Sequence, residues 1–431
     1  MGSGRTIVFW PESAAGPTNN CIGIGHVLAQ RGHRVVFAVE SSWEGKLAAL
    51  GFEEHLVDLA EPPEGPVDAG QFWKDFITAT APEFRRPTIE QLETVTAPIW
   101  RELIDGARHC QDRLAGILDD VEPDVVVEDN VVAFPALLTC GAPFVRLVSC
   151  NPLEIVDPLL PPVFSGLPTA DPADWATFRA EYERTHRDLW EELSTWVREE
   201  GGPPLPDLAF VHTSTELNLY LYPQLADYQR SIALDPTWQR LPSSVRATDA
   251  PFTLPAELAE GDGALVYLSL GSLGSADVEL MQRLIDVLAT TDHRVIVSKG
   301  PRHEEIALRG RMWGAEVVPQ TNVLPLVDLV ITHGGNNTTT EALHFGKPMV
   351  VLPLFWDQYD NAQRVAEIGR GVRLDTYGFA DEELTGAIDR LLADDALRQR
   401  MTMDGRRIRA FGGTAVAADR IAAVAERHAT R

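Results

Sequence analysis

Nowhere does an uninterrupted apolar run approach the roughly 20 residues that a membrane-spanning helix needs. The apolar stretch Thr6 to Pro11 is also too short for the core of a secretory leader. Both absences predict a cytoplasmic protein without a membrane partner. Cysteine is scarce, and Cys21, Cys110, Cys140 and Cys150 show no C-x-x-C or finger spacing. A disulfide framework and a zinc module are therefore excluded as organising devices, and reduced thiols without a metal site are expected. Positive charge is in deficit, with 37 Lys and Arg against 63 Asp and Glu and a net charge of -26. Nucleic acid and anionic membranes reward clustered basic residues, so neither is an expected partner. A nucleotide remains possible, because a helix N-terminus holds phosphate with backbone N–H groups and little formal charge. No obligate protein partner is inferred.

What is present is an ordinary globular balance, 45% hydrophobic and 23% charged over 431 residues. That length suits two α/β domains of roughly 200 residues each, with a cleft between them. Arg5 to Pro11 reads as a strand, followed by a loop at Gly16-Pro17 and a helix ending at Arg31-Gly32-His33. Arg34 to Val39 reads as the next strand and Ser41 to Leu50 as a helix closed by Gly51. Asp124 to Asp129, Pro143 to Ser149 and Phe210 to Tyr222 continue the buried-strand pattern, while Val67 to Val121 and Asp171 to Glu200 read as helical insertions. Strands are expected again at Ala264–Leu270, Arg294–Ser298, Ala315–Val318, Leu326–Thr332 and Pro348–Leu352, with a helix over Ala415 to Ala429. Strands alternating with helices imply parallel sheets. The expected domains are residues 1–240, a linker at 241–263 marked by Pro242, Pro251 and Pro255, a second domain at 264–412, and a C-terminal helix at 413–431 that packs back on the first domain.

The richest segment runs from Val327 to Pro348. A β-branched strand leads into His333, Gly334 and Gly335 let the backbone approach a ligand, and Asn337 or Thr338 opens a helix. Free N–H groups, side-chain donors and a helix dipole then converge, which suits a diphosphate. Glu341 allows two readings: the far end of a Thr338-x-x-Glu341 capping box, or an acceptor for ribose hydroxyls one turn past the phosphates. Asp357 and Gln358 follow the next strand, where open α/β sheets bind ligands. Asp357 reads either as a helix N-cap or, with Gln358, as a partner for sugar hydroxyls.

Val318-Pro319-Gln320, His333-Gly-Gly-x-Asn337-Thr338-x-x-Glu341, Gly346-x-Pro348, Pro353 and Asp357-Gln358 together resemble the family 1 glycosyltransferases. Weaker resemblance extends over most of the chain, including Tyr267 to Ser272 and Arg31-Gly32-His33. The resemblance implies the GT-B architecture, two Rossmann-like doubly wound α/β domains facing a cleft. It further implies acceptor binding by the first domain, donor binding by the second, and metal-independent transfer with inversion of the anomeric centre. Carried over by position, His333, Gly335, Asn337 and Thr338 would hold the diphosphate with Ser272 nearby. Glu341 would take the ribose, Val318 and Gln320 would flank the nucleoside, and Asp357 with Gln358 would bind the hexose. No cofactor is implied beyond the nucleotide sugar, with UDP-glucose preferred and dTDP-sugars open because Val317 stands where relatives carry a base-stacking Trp.

The first-domain insertions hold Phe72, Trp73, Phe76, Phe84, Trp100, Trp175, Phe178, Trp190 and Trp196. Aromatics at such spacing build cores, yet over a cleft some would line an apolar acceptor pocket for a phenol, macrolide or similar natural product. The basic His of relatives corresponds to Pro17, which takes no proton, and His26 lies well inside the helix. Asp129 is the expected base or base-orienting carboxylate, with Glu12 as runner-up. Acidic hydroxyls should then be favoured over aliphatic ones. The alternatives are a catalytically silent nucleotide-sugar sensor and, more remotely, sugar-nucleotide epimerisation.

Overall fold

The computed structural model describes residues 4–61 and 80–428. Two parallel sheets organise the chain. Strands β1 (Thr6–Pro11), β2 (Arg34–Val39), β3 (Glu53–Leu56), β4 (Val125–Asp129), β5 (Phe144–Val148), β6 (Leu217–Leu221) and β7 (Trp238–Leu241) lie in the order β3-β2-β1-β4-β5-β6-β7. Strands β8 (Leu265–Ser269), β9 (Arg294–Ser298), β10 (Met312–Ala315), β11 (Leu329–Thr332), β12 (Met349–Val351) and β13 (Gly371–Arg373) lie in the order β10-β9-β8-β11-β12-β13. Both orders reverse beside the first strand of their sheet, so each sheet opens a crevice at its strand C-terminal ends. The central strands are runs of Val, Ile and Leu with both faces covered, and Val125, Val126, Val127, Leu329, Val330 and Ile331 are wholly buried. Each such side chain contributes about 1.5–3 kcal/mol on leaving water.

The helices that position the site are α1 (Ala15–Gln30), α2 (Ala97–Val121), α3 (Trp175–Glu199), α4 (Asn336–Phe345), α5 (Gln358–Glu367) and α6 (Gly413–His428). Helix α6 belongs to the first half by packing, for it buries Ala417, Ile421 and Val424 in one cluster with Cys21, Ile24 and Leu28 of α1. Its entry is tight: a Cβ on Gly413 would lie 2.2 Å from the Ser243 carbonyl oxygen, so a larger residue would push the chain off the linker.

Several elements differ from the sequence expectation. Residues 41–50 form two short 3₁₀ turns, Ser41–Trp43 and Ala48–Leu50, instead of a helix. The Glu54 carboxylate takes the N–H groups of Gly45, Leu47 and Ala48, which a helix would have used itself. The strand expected from Phe210 begins only at Leu217, because the Asn218 side chain folds back on Ser214 and makes a turn there. The expected strand Ala315–Val318 lies earlier, at Met312–Ala315, and β3, β7 and β13 were not foreseen. All four cysteines are free thiols. Among the described residues no helix is long and apolar enough to cross a membrane, and no group of three His, Cys, Asp or Glu could hold a metal ion.

Candidate active site

The turn after β11 follows from its glycines. Gly334 has φ +88°, and a Cβ there would lie 2.7 Å from Val351 Cγ1, so this left-handed turn admits only glycine without strain. A Cβ on Gly335 would lie 2.5 Å from His333 Nε2, and one on Gly271 2.7 Å from His333 Cε1. The two glycines thus clasp the imidazole. Burial drives His333 down to about 4, leaving the ring neutral, while a hydrogen bond to the Ser269 backbone acts in the opposite direction. Helix α4 starts at Asn336, with Gly335 as its N-cap, so Thr338 lies inside the first turn and the Thr338–Glu341 capping box does not form. Asn336 Oδ1 and Thr339 Oγ1 are buried there without a partner among the described residues. Ser272 is exposed in the short turn after β8, and Asn337 is half-buried.

Glu341, 1% exposed, is ion-paired. Its Oε1 accepts from Arg246 Nη1 at 3.0 Å and its Oε2 from Gln320 Nε2 at 2.7 Å. Gln320 Nε2 also reaches Thr338 Oγ1 at 3.3 Å, and its Oε1 accepts from the Tyr267 hydroxyl at 3.2 Å. Val318 is buried at 5% exposure, whereas Val317 is 78% exposed.

Asp357 occupies the N-cap position of α5 but makes no side-chain cap. Its Oδ2 instead accepts the Asn151 N–H at 2.8 Å, joining the second half to the first. Burial pushes this carboxyl up to about 7. Gln358 Oε1 accepts from the Leu354 N–H at 3.0 Å and so shapes the loop it sits in. Trp356, between them and the strand, holds φ +59°, a left-handed conformation that costs a non-glycine residue about 1–2 kcal/mol. Its ring packs at 4.3 Å on Phe164 and 5.2 Å on Trp100.

On the first-domain side, Glu12 follows β1 and Asp129 ends β4, joined by the Glu12 N–H to the Asp129 carbonyl at 2.8 Å. Asp129 is 3% exposed; its Oδ2 accepts from Ser149 Oγ at 2.6 Å, and Ser149 Oγ accepts from Asn20 Nδ2 at 2.8 Å. Burial pushes Asp129 up to about 8, against the Ser149 hydrogen bond. The Glu12 carboxylate makes no hydrogen bond among the described residues, and burial, followed by the charges of Glu40, Asp357 and Glu154, lifts it to about 7. Pro17 lies in the first turn of α1, and His26 bonds to Gln30 on its exposed face. The two halves meet here: a Cβ on Gly16 would lie 3.7 Å from Asn337 Cβ, so the N-termini of α1 and α4 face each other.

Of the aromatics named from sequence, Phe72, Trp73 and Phe76 lie outside the described residues. Phe84 stacks on Phe355 at 5.0 Å and Trp100 on Phe210 at 4.2 Å, both across or beside the interface between halves. Trp175 and Phe178 are buried at the start of α3. Trp190 and Trp196 are half-buried, packed against the core and covered by Arg187 and Arg108. Sequence reasoning missed Arg246, Asn151, Ser149 and Glu40, since isolated residues in loops and linkers carry no spacing signal.

A pair of doubly wound parallel sheets with helices around them defines the GT-B fold. Residues 282–406 match the family model for the erythromycin biosynthesis protein CIII-like C-terminal domain. The NDP-glycosyltransferase YjiC of Bacillus subtilis (strain 168) is 32% identical over 423 residues, covering 96% of both chains. Demethyllactenocin mycarosyltransferase of Streptomyces fradiae is 26% identical over 427 residues, covering 96% of this chain and 85% of that one. Among solved structures, the glycotransferase of kitacinnamycin superposes with a TM-score of 0.69 at 20% identity, covering 98% of this chain and 100% of that one. The glycosyltransferase VinC in complex with dTDP gives 0.66 at 19% identity, with the same coverage. The chain belongs to the family 1 glycosyltransferases, in the group of bacterial natural-product enzymes. It is an enzyme that transfers a sugar.

Proposed function

We propose that this enzyme transfers a hexose from a nucleoside diphosphate sugar, UDP-glucose or a dTDP-sugar, to an acidic hydroxyl of a small, largely apolar natural product. The observation that carries this reading is the apposition of the α1 and α4 N-termini through Gly16 and Asn337, which puts the glycine turn beside the Glu12 loop. The diphosphate lies on the α4 N-terminus with His333, Gly335, Asn337, Thr338 and Ser272, the ribose on Glu341, the nucleoside along Val318 and Gln320, and the hexose at Asp357 and Gln358. The helix N-terminus and the donors around it stabilise the departing diphosphate, so the reaction needs no metal.

Glu12 is the general base. Its carboxylate has no competing hydrogen bond among the described residues, and a value of about 7 matches neutral pH. Asp129 keeps its proton at neutral pH and stands behind it, fixed by Ser149. A carboxylate is a weak base for an aliphatic alcohol, so phenols, whose pKa is near 10, are the preferred acceptors.

Incubating the purified protein with UDP-glucose and dTDP-glucose against phenolic and macrolide acceptors tests this reading. A glycosylated phenol is the expected product. Nucleotide-sugar binding without transfer to any acceptor would contradict it and restore the silent sensor. Asp357→Ala is expected to impair transfer while leaving free-diphosphate affinity nearly intact, and to cost about 1–3 kcal/mol of stability by stranding the buried Asn151 N–H. Transfer kinetics, diphosphate titration and thermal melts check the three parts, and an equal loss of free-diphosphate affinity would remove Asp357 from the hexose site.

A further inference from the structure

Arg246 lies in the linker between the sheets, outside every motif that carries the family likeness, yet its side chain is 9% exposed and reaches Glu341. Its guanidinium is held in a fork by Asp249, with Nε to Oδ1 at 2.6 Å and Nη2 to Oδ2 at 2.9 Å. The third contact, from Nη1, goes to Glu341 Oε1 at 3.0 Å. Asp249 Oδ2 also accepts from the Thr321 N–H at 3.1 Å and Thr321 Oγ1 at 2.9 Å, which ties the linker to the turn carrying Gln320. Behind the arginine, a Cβ on Gly23 of α1 would lie 3.4 Å from Arg246 Cα, so the linker backbone is pressed between α1 and the donor half. Such a fork fixes the guanidinium plane and leaves it little freedom to leave Glu341.

We propose that Arg246 is a positioning residue of the nucleoside site, whose guanidinium, clamped by Asp249, holds Glu341 as an oriented carboxylate for the ribose hydroxyls. The proposal rests on the assignment of Glu341 to the ribose. The charged and titratable groups facing Glu341 are Arg246 and Asp249 from the linker and Tyr267 from β8, with the neutral Gln320 amide beside them. Burial raises the Glu341 pKa and Asp249 adds to the rise, while Arg246 and Gln320 oppose it. Without Arg246 only Gln320 is left to oppose burial and Asp249, which shifts the balance toward a protonated carboxyl that accepts hydroxyls less well. Because a raised pKa empties the ionised form as pH falls, loss of Arg246 should appear first on the acid side.

UDP titrations from about pH 6 to 8.5 should therefore separate the parent from Arg246→Met, which is expected to bind about tenfold more weakly at the acid end and to recover as pH rises. Arg246→Lys, which keeps the charge without the fork, should fall between them and serves as the reading if the Met variant does not fold. In a Glu341→Gln background, Arg246→Met should cause no further loss, since its effect runs through the carboxylate. A loss independent of pH, or one that adds in full to Glu341→Gln, would overturn the proposal and leave Arg246 a purely structural link. If Glu341→Gln alone leaves UDP affinity unchanged, the ribose assignment fails instead.

Discussion

Glu12→Gln is expected to slow transfer by roughly a hundred- to ten-thousandfold, the range that a positioned general base supplies. UDP affinity should hardly change, because the side chain follows β1 in the first half, away from the proposed nucleotide contacts, and the substitution keeps its shape. The pH profile gives the sharper reading. Burial, Glu40, Asp357 and Glu154 all raise Glu12, so the ionised form that accepts a proton fills only as pH climbs through about 7. Transfer by the parent should rise with pH across that value, whereas the residual rate of Glu12→Gln should lack this limb. Asp129→Asn is the companion variant, expected to reduce turnover less because the Asp129 carboxyl is engaged by Ser149. Single-turnover rates over a graded series of phenols measure both, and an unchanged rate in Glu12→Gln would move the base elsewhere.

The second large effect is expected from His333→Ala. A hydrogen bond from the imidazole to a charged phosphate oxygen contributes about 1.5–3 kcal/mol, so diphosphate affinity and kcat/KM should fall by roughly ten- to a hundredfold. The fold should survive, since the ring is clasped by Gly271 and Gly335 and contributes little to the sheet core. Titration with UDP and dTDP checks the affinity, and circular dichroism checks the fold. Normal kinetics with a nucleotide sugar in a folded variant would remove the glycine turn from the donor site.

Most of the architecture was legible because both sheets use central strands that read as short Val, Ile and Leu runs between helical segments. Strand β9 was read at its observed bounds, Arg294–Ser298. The edge strands escaped notice for a physical reason: β3, with sequence Glu53-Glu-His-Leu56, is only half-buried and lacks an apolar run, and β13 has just three residues. The glycine turn was legible because paired glycines after a β-branched strand announce a tight backbone turn, and Gly334 at φ +88° makes one. Its neighbours were harder. Glu341 was open to a capping or a ribose role, and only the position of the helix start, at Asn336, removes the cap. The Asp357 bond to the Asn151 N–H spans 206 residues, and no local pattern encodes such a contact. The Arg246 pair with Glu341, 95 residues apart, is equally silent in sequence. The aromatics gave a mixed result, since Trp100 and Phe84 pack at the interface between halves while Trp190 and Trp196 are half-buried against the core under arginines.

We infer metal-independent transfer with inversion from a nucleoside diphosphate sugar. It is tested most directly by the anomeric configuration of the product, read by proton NMR after incubation with an α-linked UDP-glucose or dTDP-glucose and a phenol in excess EDTA. The expected result is a β-glucoside formed together with an equimolar amount of nucleoside diphosphate. An α-glucoside, or a reaction that EDTA abolishes, would contradict it.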